Sequence, residues 1–244
     1  MTESTDQSSL GTEPAALERF ARDRPDLVMV APYMAYLLFM MVGGKFPEAY
    51  LPWGIALRGV GGFTVFWLFR KHLPALGKPH LGLAIVMGVL CAAGWVAGQK
   101  LFDAVGLGGR FFLFPGVPEA DDPRVGISAV SWWSQAVLRI GVASVTVPIV
   151  EELFWRGFLL RALIDWHRFE KVPLGTFTWV SFLGTSLLSM LQHPDNWAIS
   201  VLCWFAFNAL MYWKKSLLFL MIVHGVTNLA LYVYVIAWED WLFW

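Results

Sequence analysis

Long apolar runs separated by short polar segments make up most of the chain. An α-helix rises about 1.5 Å per residue, so about 20 apolar residues cross the ~30 Å hydrocarbon core of a bilayer. Backbone N–H and C=O groups need partners inside lipid, and a helix supplies them within one segment. The pattern therefore predicts an all-α fold, a polytopic transmembrane bundle of about seven to eight helices. The seven runs lie near residues 27–43, 51–69, 81–99, 128–160, 174–192, 197–213 and 216–238.

The run at 128–160 is longer than one crossing requires. It would form about 50 Å of helix at the usual rise per residue. Pro148 lies inside it and lacks the N–H group that continues a helix, so it either kinks or divides the run. We favour one kinked helix over two helices that meet near Pro148, because an additional crossing would reverse the orientation of every later segment.

The basic residues predict an orientation. With seven crossings and the N-terminus inside, the inner segments hold eleven of the 18 Lys and Arg residues, and the outer segments hold four. Cytosolic loops are usually the more basic ones, so we expect a cytosolic N-terminus and an external C-terminus. Residues 1–26 are polar and of mixed charge, which predicts a disordered cytosolic tail ahead of the bundle at 27–244. Tryptophans near the outer ends would form an aromatic belt: Trp132, Trp133, Trp238, Trp241 and Trp244.

Composition supports the membrane class and excludes others. Hydrophobic residues make up 57% of the chain and charged residues 15%, against about 45–50% and about 25% in soluble domains. Lys plus Arg and Asp plus Glu balance at 18 each, so no basic surface for nucleic acid is expected. Cys91 and Cys203 lie in apolar runs, outside any metal-binding spacing, and are expected to be small buried hydrophobes.

Polar and charged side chains interrupt the apolar runs at three places. A charge at bilayer depth costs about 2.5–3.5 kcal/mol on insertion scales, so these positions indicate function. The spacing of four between the second glutamate and the arginine places them on one helix face, and the other glutamate points elsewhere. The last His and Asn share a face for the same reason. The candidate site residues are Glu151, Glu152, Arg156, His193, His224 and Asn228.

These groups are suited to peptide hydrolysis by an activated water. Glu151 would take a proton from the water, which His193 would help to hold. His224 and Asn228 would donate to the oxyanion of the tetrahedral intermediate. Arg156 would compensate the charge of the neighbouring glutamate. We expect neither a metal nor a cofactor.

The three motifs, in this order and spacing, resemble those of the CAAX prenyl protease type II and bacteriocin-processing (CPBP, or Abi) family of intramembrane endopeptidases. The resemblance covers a protease-like core at about residues 128–235, and its wider context looks closest to the bacterial branch associated with exosortase and PEP-CTERM sorting. It implies a helical bundle in the bacterial inner membrane, an active site open to the cytosol, and no covalent intermediate. It further implies a membrane protein or lipidated peptide as substrate.

One motif departs from the family pattern, which has Phe four residues before the second-motif histidine. Ser189 occupies that position here. His193 also lies at the outer end of its run, whereas Glu151 and His224 lie deeper. Bringing them together requires a tilted helix, a different helix start, or a turn at 193–196 that dips into the protein.

Other functions remain open at this point. A zinc protease is chemically conceivable, although the His-Glu-x-x-His signature is missing. Intramembrane acids and histidines also mark proton-coupled transporters, and a catalytically inactive binding or immunity protein would carry much the same motifs. Arg58 and Arg139 lie at depth, where they would pair with the glutamates, with a substrate carboxylate, or with backbone carbonyls. Asn208 at mid-span is expected to join helices.

Overall fold

The computed structural model describes residues 16–114 and 121–244, and helices account for most of them. No strand occurs within these two ranges, which agrees with the predicted all-α class. The described ranges contain eight helices in chain order: α1 (Ala16–Asp23), α2 (Pro25–Gly43), α3 (Leu51–Phe69), α4 (Leu81–Ala104), α5 (129–162), α6 (Trp179–Gln192), α7 (Trp197–Lys214) and α8 (Leu217–Trp238). Single turns of 3₁₀-helix lie at Glu48–Tyr50, Arg70–His72, Phe169–Lys171, Pro194–Asn196 and Trp241–Phe243.

Helices α2 to α8 correspond to the seven predicted apolar runs. By length and hydropathy, α2, α4 and α8 are each sufficient to cross a membrane. In α4 only 17% of the apolar window is buried inside the protein. Its remaining apolar surface therefore has to face something other than this chain, and lipid satisfies that requirement.

The first helix differs from the expected tail. Ala16–Asp23 form α1, and the Phe20 ring stacks on Phe69 at the end of α3 with 6.0 Å between centroids. Leu17, Phe20 and Ala21 lie on one side of this short helix. The helix therefore has an apolar face although its overall composition is polar. The part of the predicted tail at residues 1–15 lies outside the described residues.

The long helix α5 runs without interruption across Pro148, as the single-helix interpretation requires. Two stretches of it are π-helical, Val142–Thr146 and Leu153–Leu159. In the first, the N–H of Val147 bonds to the carbonyl of Val142, five residues back. This register places the proline just after a wide turn, where its missing N–H and its ring are accommodated without ending the helix.

Helix α6 is shorter than the predicted run at 174–192. Thr178 ends the preceding loop and accepts a hydrogen bond from the N–H of Ser181 at 3.1 Å, so the helix begins at Trp179. Gly175 has φ +74°, a conformation that holds the preceding residues in a turn. The 14 residues of α6 span only about 21 Å, which is less than the ~30 Å hydrocarbon core of a bilayer.

Contacts between loops define the two ends of the bundle. At the basic end, Ser216 donates to the carbonyls of Leu76 and Lys78 at 3.1 and 2.8 Å, which joins the α3–α4 and α7–α8 connections. At the opposite end, called here the tryptophan end, the segments 105–114, 121–128, 193–196 and 239–244 come together. Arg124 pairs there with Glu239 at 2.8 Å, and the Trp132 and Trp244 rings lie 4.8 Å apart.

Two close approaches between helices depend on glycine. A Cβ atom on Gly43 of α2 would lie 2.7 Å from the carbonyl oxygen of Gly54 in α3. A Cβ atom on Gly225 of α8 would lie 2.5 Å from the carbonyl oxygen of Ser144 in α5. Small residues at such crossings let helix backbones pack closely in a membrane, and the second crossing brings His224 against the long helix.

Candidate active site

One cavity of about 860 Å³ collects most of the predicted site residues. It extends from the middle of α5 and α8 to the tryptophan end, where Phe243 and Trp244 line it. The site residues in its wall are Glu151, Arg156, His193, His224 and Asn228. Glu152 is absent from the wall and has no exposed surface. The two adjacent glutamates therefore occupy different environments.

Glu152 lies at the centre of a buried polar network. Its Oε1 accepts from Arg156 Nη1 at 3.1 Å, the pair that the spacing of four residues predicts, and it also contacts His224 Nδ1 at 2.9 Å. A carboxylate paired with an arginine only accepts hydrogen bonds, so Nδ1 of the imidazole carries the proton. The other ring nitrogen, Nε2, is then left for the cavity.

Asn208 extends this network to a third helix. Its Oδ1 accepts from Arg156 Nε at 3.0 Å, and its Nδ2 donates to Thr185 at 2.9 Å and Ser186 at 3.1 Å. Arg156 is therefore held between α5, α6 and α7. The sequence pointed to Asn208 as an interhelical contact, but the arginine as its partner is visible only in three dimensions.

Glu151 faces the cavity and is held by Gln192. The Gln192 Nε2 amide donates to Glu151 Oε1, across from α6 to α5. Sequence reasoning did not single out Gln192, because a glutamine at a helix end is ordinary. Its position directly before His193 was the only signal. Gln192 also lines the cavity, and its Oε1 is buried without a partner among the described residues.

Replacing Gln192 with leucine is expected to lower peptide cleavage about tenfold or more, because a hydrogen bond to a charged group is worth about 1.5–3 kcal/mol. Glu151 would remain present but lose the contact that orients it. The measurement is the rate of cleavage by purified protein, with Gln99→Leu as the control, since Gln99 bonds Asp103 outside the cavity. Equal rates for Gln192→Leu and wild type would contradict the role of this contact.

His193 reaches the cavity through the short helix and the turn that follows it. Its N–H bonds to the carbonyl of Ser189 at 3.0 Å, and the Pro194–Asn196 turn continues from there. Its ring packs edge-on between Trp95 and Trp204, with centroid distances of 5.3 and 5.5 Å. These indoles supply an aromatic surround, although the family's phenylalanine position holds Ser189.

Ser189 forms hydrogen bonds at the contact between α6 and α7. Its hydroxyl lies 3.1 Å from that of Ser200 and donates to the carbonyl of Ser186 at 2.6 Å. The residue is fully buried between α6 and α7. A phenylalanine would not fit between helices that are this close, so the departure from the family pattern follows from how the two helices pack.

Asn228 connects the last helix to the π-helical turn of α5. Its Nδ2 donates to the carbonyl of Ala143 at 2.7 Å. In the register set by Val142 and Val147, that carbonyl would receive the N–H of residue 148. Residue 148 is a proline and has none, so the Asn228 amide satisfies the oxygen instead. One of its two amide hydrogens is used in this way, and the other is free to donate.

Substituting Pro148 with alanine is expected to leave the unfolding temperature unchanged or raise it, and to lower cleavage about tenfold, less than the ~10²–10³-fold cost of deleting an oxyanion donor. Alanine supplies the N–H that competes with Asn228 for the Ala143 carbonyl. Thermal unfolding and cleavage rates of the same preparation test both parts. Pro173→Ala, in the loop before α6, is the control. Unchanged cleavage would show that the proline does not act on Asn228.

Several buried polar atoms at the site have no hydrogen-bond partner among the described residues. Buried polar groups are nearly always paired, so their concentration around one cavity indicates a place where water or substrate binds. No three His, Cys, Asp or Glu side chains in the described ranges are grouped closely enough to hold a metal ion. The unpartnered atoms are Arg58 Nε, Glu152 Oε2, Trp155 Nε1, Arg156 Nη2, Gln192 Oε1 and Trp204 Nε1.

One known protein family matches part of the chain. Residues 132–230 match the model of the type II CAAX prenyl endopeptidase Rce1-like family. This part of the chain is therefore similar to the CAAX protease family. No curated protein and no solved structure gives a significant match. The match supports a CAAX-type protease associated with a membrane.

The match to the CAAX protease family includes all six predicted site residues but only part of the cavity wall. It begins in α5 and ends in α8. Outside it lie Tyr33, Tyr36, Arg58 and Trp95 on α2, α3 and α4, together with Trp244 near the C-terminus. The matched segment thus supplies the candidate chemistry, and α2, α3 and α4 complete the chamber around it.

Proposed function

We propose that the protein is a metal-independent intramembrane endopeptidase in which Glu151 activates a water molecule. The observation that carries this proposal is the separation of the glutamate pair. Glu151 lines the cavity with His193, His224 and Asn228, whereas Glu152 lies behind it, bonded to Arg156 and His224. This chemistry needs one carboxylate that reacts with water and a second carboxylate that supports the site.

In the proposed reaction, Glu151 takes a proton from a water that His193 helps to hold. The resulting hydroxide adds to the peptide carbonyl, and a negative charge forms on the carbonyl oxygen. Asn228 donates its free amide hydrogen to that oxygen, and a His224 imidazolium, bonded to Glu152 through Nδ1, donates through Nε2. Glu151 then returns the proton to the leaving nitrogen as the C–N bond breaks.

The test is a comparison of peptide ends in membranes that contain wild-type protein or Glu151→Gln. N-terminal and C-terminal proteomics should find ends that occur only with the wild type, and these ends identify the substrate. An absence of differing ends, with both proteins present at equal level, would favour the inactive binding-protein alternative. Loss of cleavage after exhaustive chelation would favour the zinc alternative. Proton-coupled flux in liposomes would favour the transporter alternative.

For location, we propose a multi-pass protein of the bacterial inner membrane with a cytosolic N-terminus. The cavity reaches the tryptophan end, whereas the basic loops lie at the other end. The charge bias therefore predicts a site that is reached from outside the cytosol, which is opposite to the expectation from the family resemblance. An external site would suit an association with exosortase sorting, which stays a prediction.

Alkaline phosphatase fused after Trp244 is expected to be active, because that enzyme folds only outside the cytosol and the charge bias places the C-terminus there. A fusion after His72, in the basic end, is the control and should be inactive. The reverse result would show that the bundle has the opposite orientation in the membrane, with the cavity open to the cytosolic side, as the resemblance implies.

A further inference from the structure

Two tyrosines of α2 line the cavity and have no role in the chemistry proposed above. Tyr33 and Tyr36 are 6% and 7% exposed, and both belong to the cavity wall that includes Glu151. They are three residues apart, so they lie on the same face of α2. The segment that matches the CAAX protease family begins at residue 132, so any function of these side chains comes from a part of the chain that the match does not describe.

Contacts with α3 and α5 fix the rings of both tyrosines. Together with Val150 they form a small buried cluster, and the Tyr33 ring lies 5.0 Å from that of Phe154. The helices approach closely at Tyr36, because a Cβ atom on Gly62 of α3 would lie 3.0 Å from the Tyr36 Cβ. Val150 and Phe154 flank the proposed base in α5, so these contacts hold the two phenol rings next to it.

The two hydroxyl groups are accessible from the cavity and have no protein partner in the described ranges. Neither forms a hydrogen bond to another described residue, and neither is enclosed by protein as the indole nitrogens of Trp155 and Trp204 are. A phenol hydroxyl donates one hydrogen bond, and it usually has a partner where the ring is buried. The hydroxyls of Tyr33 and Tyr36 are therefore available to a molecule in the cavity.

The charges around the hydroxyls favour a neutral ligand over an anion. Glu151 is within electrostatic range of both Tyr33 and Tyr36, and its carboxylate repels a second anion. Arg58 and Arg139 also act on Tyr36, so an anion would meet opposing charges along the pair of tyrosines. A neutral acceptor meets no such conflict. The peptide carbonyl is the neutral acceptor that a protease substrate carries at every residue.

The spacing of the tyrosines fits an extended peptide. Side chains three residues apart on a helix have Cβ atoms about 5–6 Å apart. An extended chain rises about 3.3 Å per residue and turns every second carbonyl to the same edge, so carbonyls on one edge recur at about 6.6 Å. The long phenol side chains bridge this small difference. One peptide strand can therefore bond to both hydroxyls while it passes beside Glu151.

We propose that Tyr33 and Tyr36 bind two main-chain carbonyls of the substrate and so align the peptide beside Glu151. This inference rests on the proposed function, because it takes the cavity to hold a peptide. Asn228 and His224, on α8, act on the carbonyl that is attacked, whereas the tyrosines, on α2, bind carbonyls of neighbouring residues. Such bonds do not depend on the side chains of the substrate, so they position peptides of different sequence.

The experiment measures the binding of acetyl-heptaalanine amide, which has main-chain carbonyls but no charge and no polar side chain. Glu151→Gln protein labelled with 3-fluorotyrosine is placed in nanodiscs of phosphatidylcholine, and fluorine NMR follows its six tyrosines during the titration. Tyr33→Phe and Tyr36→Phe assign two of the resonances and remove only the hydroxyls. Tyr50→Phe, at an exposed position, is the matched control.

The resonances of Tyr33 and Tyr36 should shift as the peptide binds, and that of Tyr50 should not. Tyr33→Phe and Tyr36→Phe should each weaken binding about three- to tenfold, the size expected for one neutral hydrogen bond, and the double variant about 10- to 100-fold. Tyr50→Phe should leave the affinity unchanged. Failure of the peptide to bind, or equal affinity for the double variant and the protein with both tyrosines, would overturn the inference.

Cleavage kinetics separate this binding role from the reaction itself. An interaction that is equally strong before and in the transition state affects KM and leaves kcat unchanged. On a peptide identified from membranes, each phenylalanine substitution should therefore raise KM about three- to tenfold at constant kcat. A lower kcat at unchanged KM would overturn the inference. Binding as expected, without cleavage of any peptide, would count against the proposed function alone.

The ester carbonyl of a phospholipid is the other source of a neutral acceptor. Diether phosphatidylcholine has no ester carbonyl, so nanodiscs of this lipid separate the two sources. Equal peptide affinity and equal shifts of the Tyr33 and Tyr36 resonances in both lipids would support the peptide. Resonances that differ between the two lipids before peptide is added, and that do not respond to it, would show that the hydroxyls bind lipid and that the inference is wrong.

Discussion

Glu151→Gln is expected to reduce peptide cleavage about 10²- to 10⁴-fold, the contribution of a positioned general base. Glutamine has the size of glutamate and retains an oxygen that accepts from Gln192, so the wall of the cavity stays in place. It has no carboxylate to take a proton from water. The measurement is the single-turnover rate on a peptide identified from membranes, at protein concentrations above that of the peptide.

Two controls make this result interpretable. Glu48→Gln changes an exposed glutamate in the turn before α3 and should leave the rate unchanged. The unfolding temperature of Glu151→Gln should equal that of the wild type within a few degrees, which separates lost chemistry from lost folding. A Glu151→Gln protein that cleaves at the normal rate would remove Glu151 from the mechanism.

Arg156→Met is expected to lower the free energy of unfolding by about 3–5 kcal/mol, because it leaves Glu152 as an uncompensated buried charge. Arg156 is 1% exposed and Glu152 is fully buried, so water cannot replace the lost partner. Asn208 would also lose its contact with the arginine. Unfolding by denaturant in detergent micelles measures the change.

A surface ion pair provides the matched comparison. Arg168 is exposed and lies 3.3 Å from the partly exposed Asp165, so Arg168→Met should cost less than about 1 kcal/mol. Combining Arg156→Met with Glu152→Gln removes both buried charges and should recover part of the stability. A double variant that is no more stable than Arg156→Met alone would show that the charge of Glu152 is not the cause.

Hydrophobic patterning was sufficient to predict the helices because each apolar run is long. The error at α6 arose where the apolar run and the helix differ. Residues 174–178 are mostly apolar or small, yet Gly175 and Thr178 place them in a turn and a cap. The favoured prediction was that α5 continues across Pro148. The π-helical register by which it does so depends on contacts with α8, which no local sequence pattern encodes.

The contacts at the site were likewise predictable only where they are local in sequence. The Glu152–Arg156 pair was predictable because four residues separate its members on one helix. The contacts that join different helices were not, since they depend on how the helices pack: His224 with Glu152, Gln192 with Glu151, and Asn208 with Arg156. Sequence position suggested which residues are unusual, and only the packing assigned them partners.

The enclosed polar network also constrains how the protein is made. Glu152 and Arg156 on α5 find their remaining partners on α7 and α8, which emerge from the ribosome later. Until then, the ion pair on α5 would lie in lipid without its contacts to Asn208 and His224, and charged side chains at that depth are costly. We therefore expect stable lateral release of α5 into the bilayer to follow the synthesis of α8.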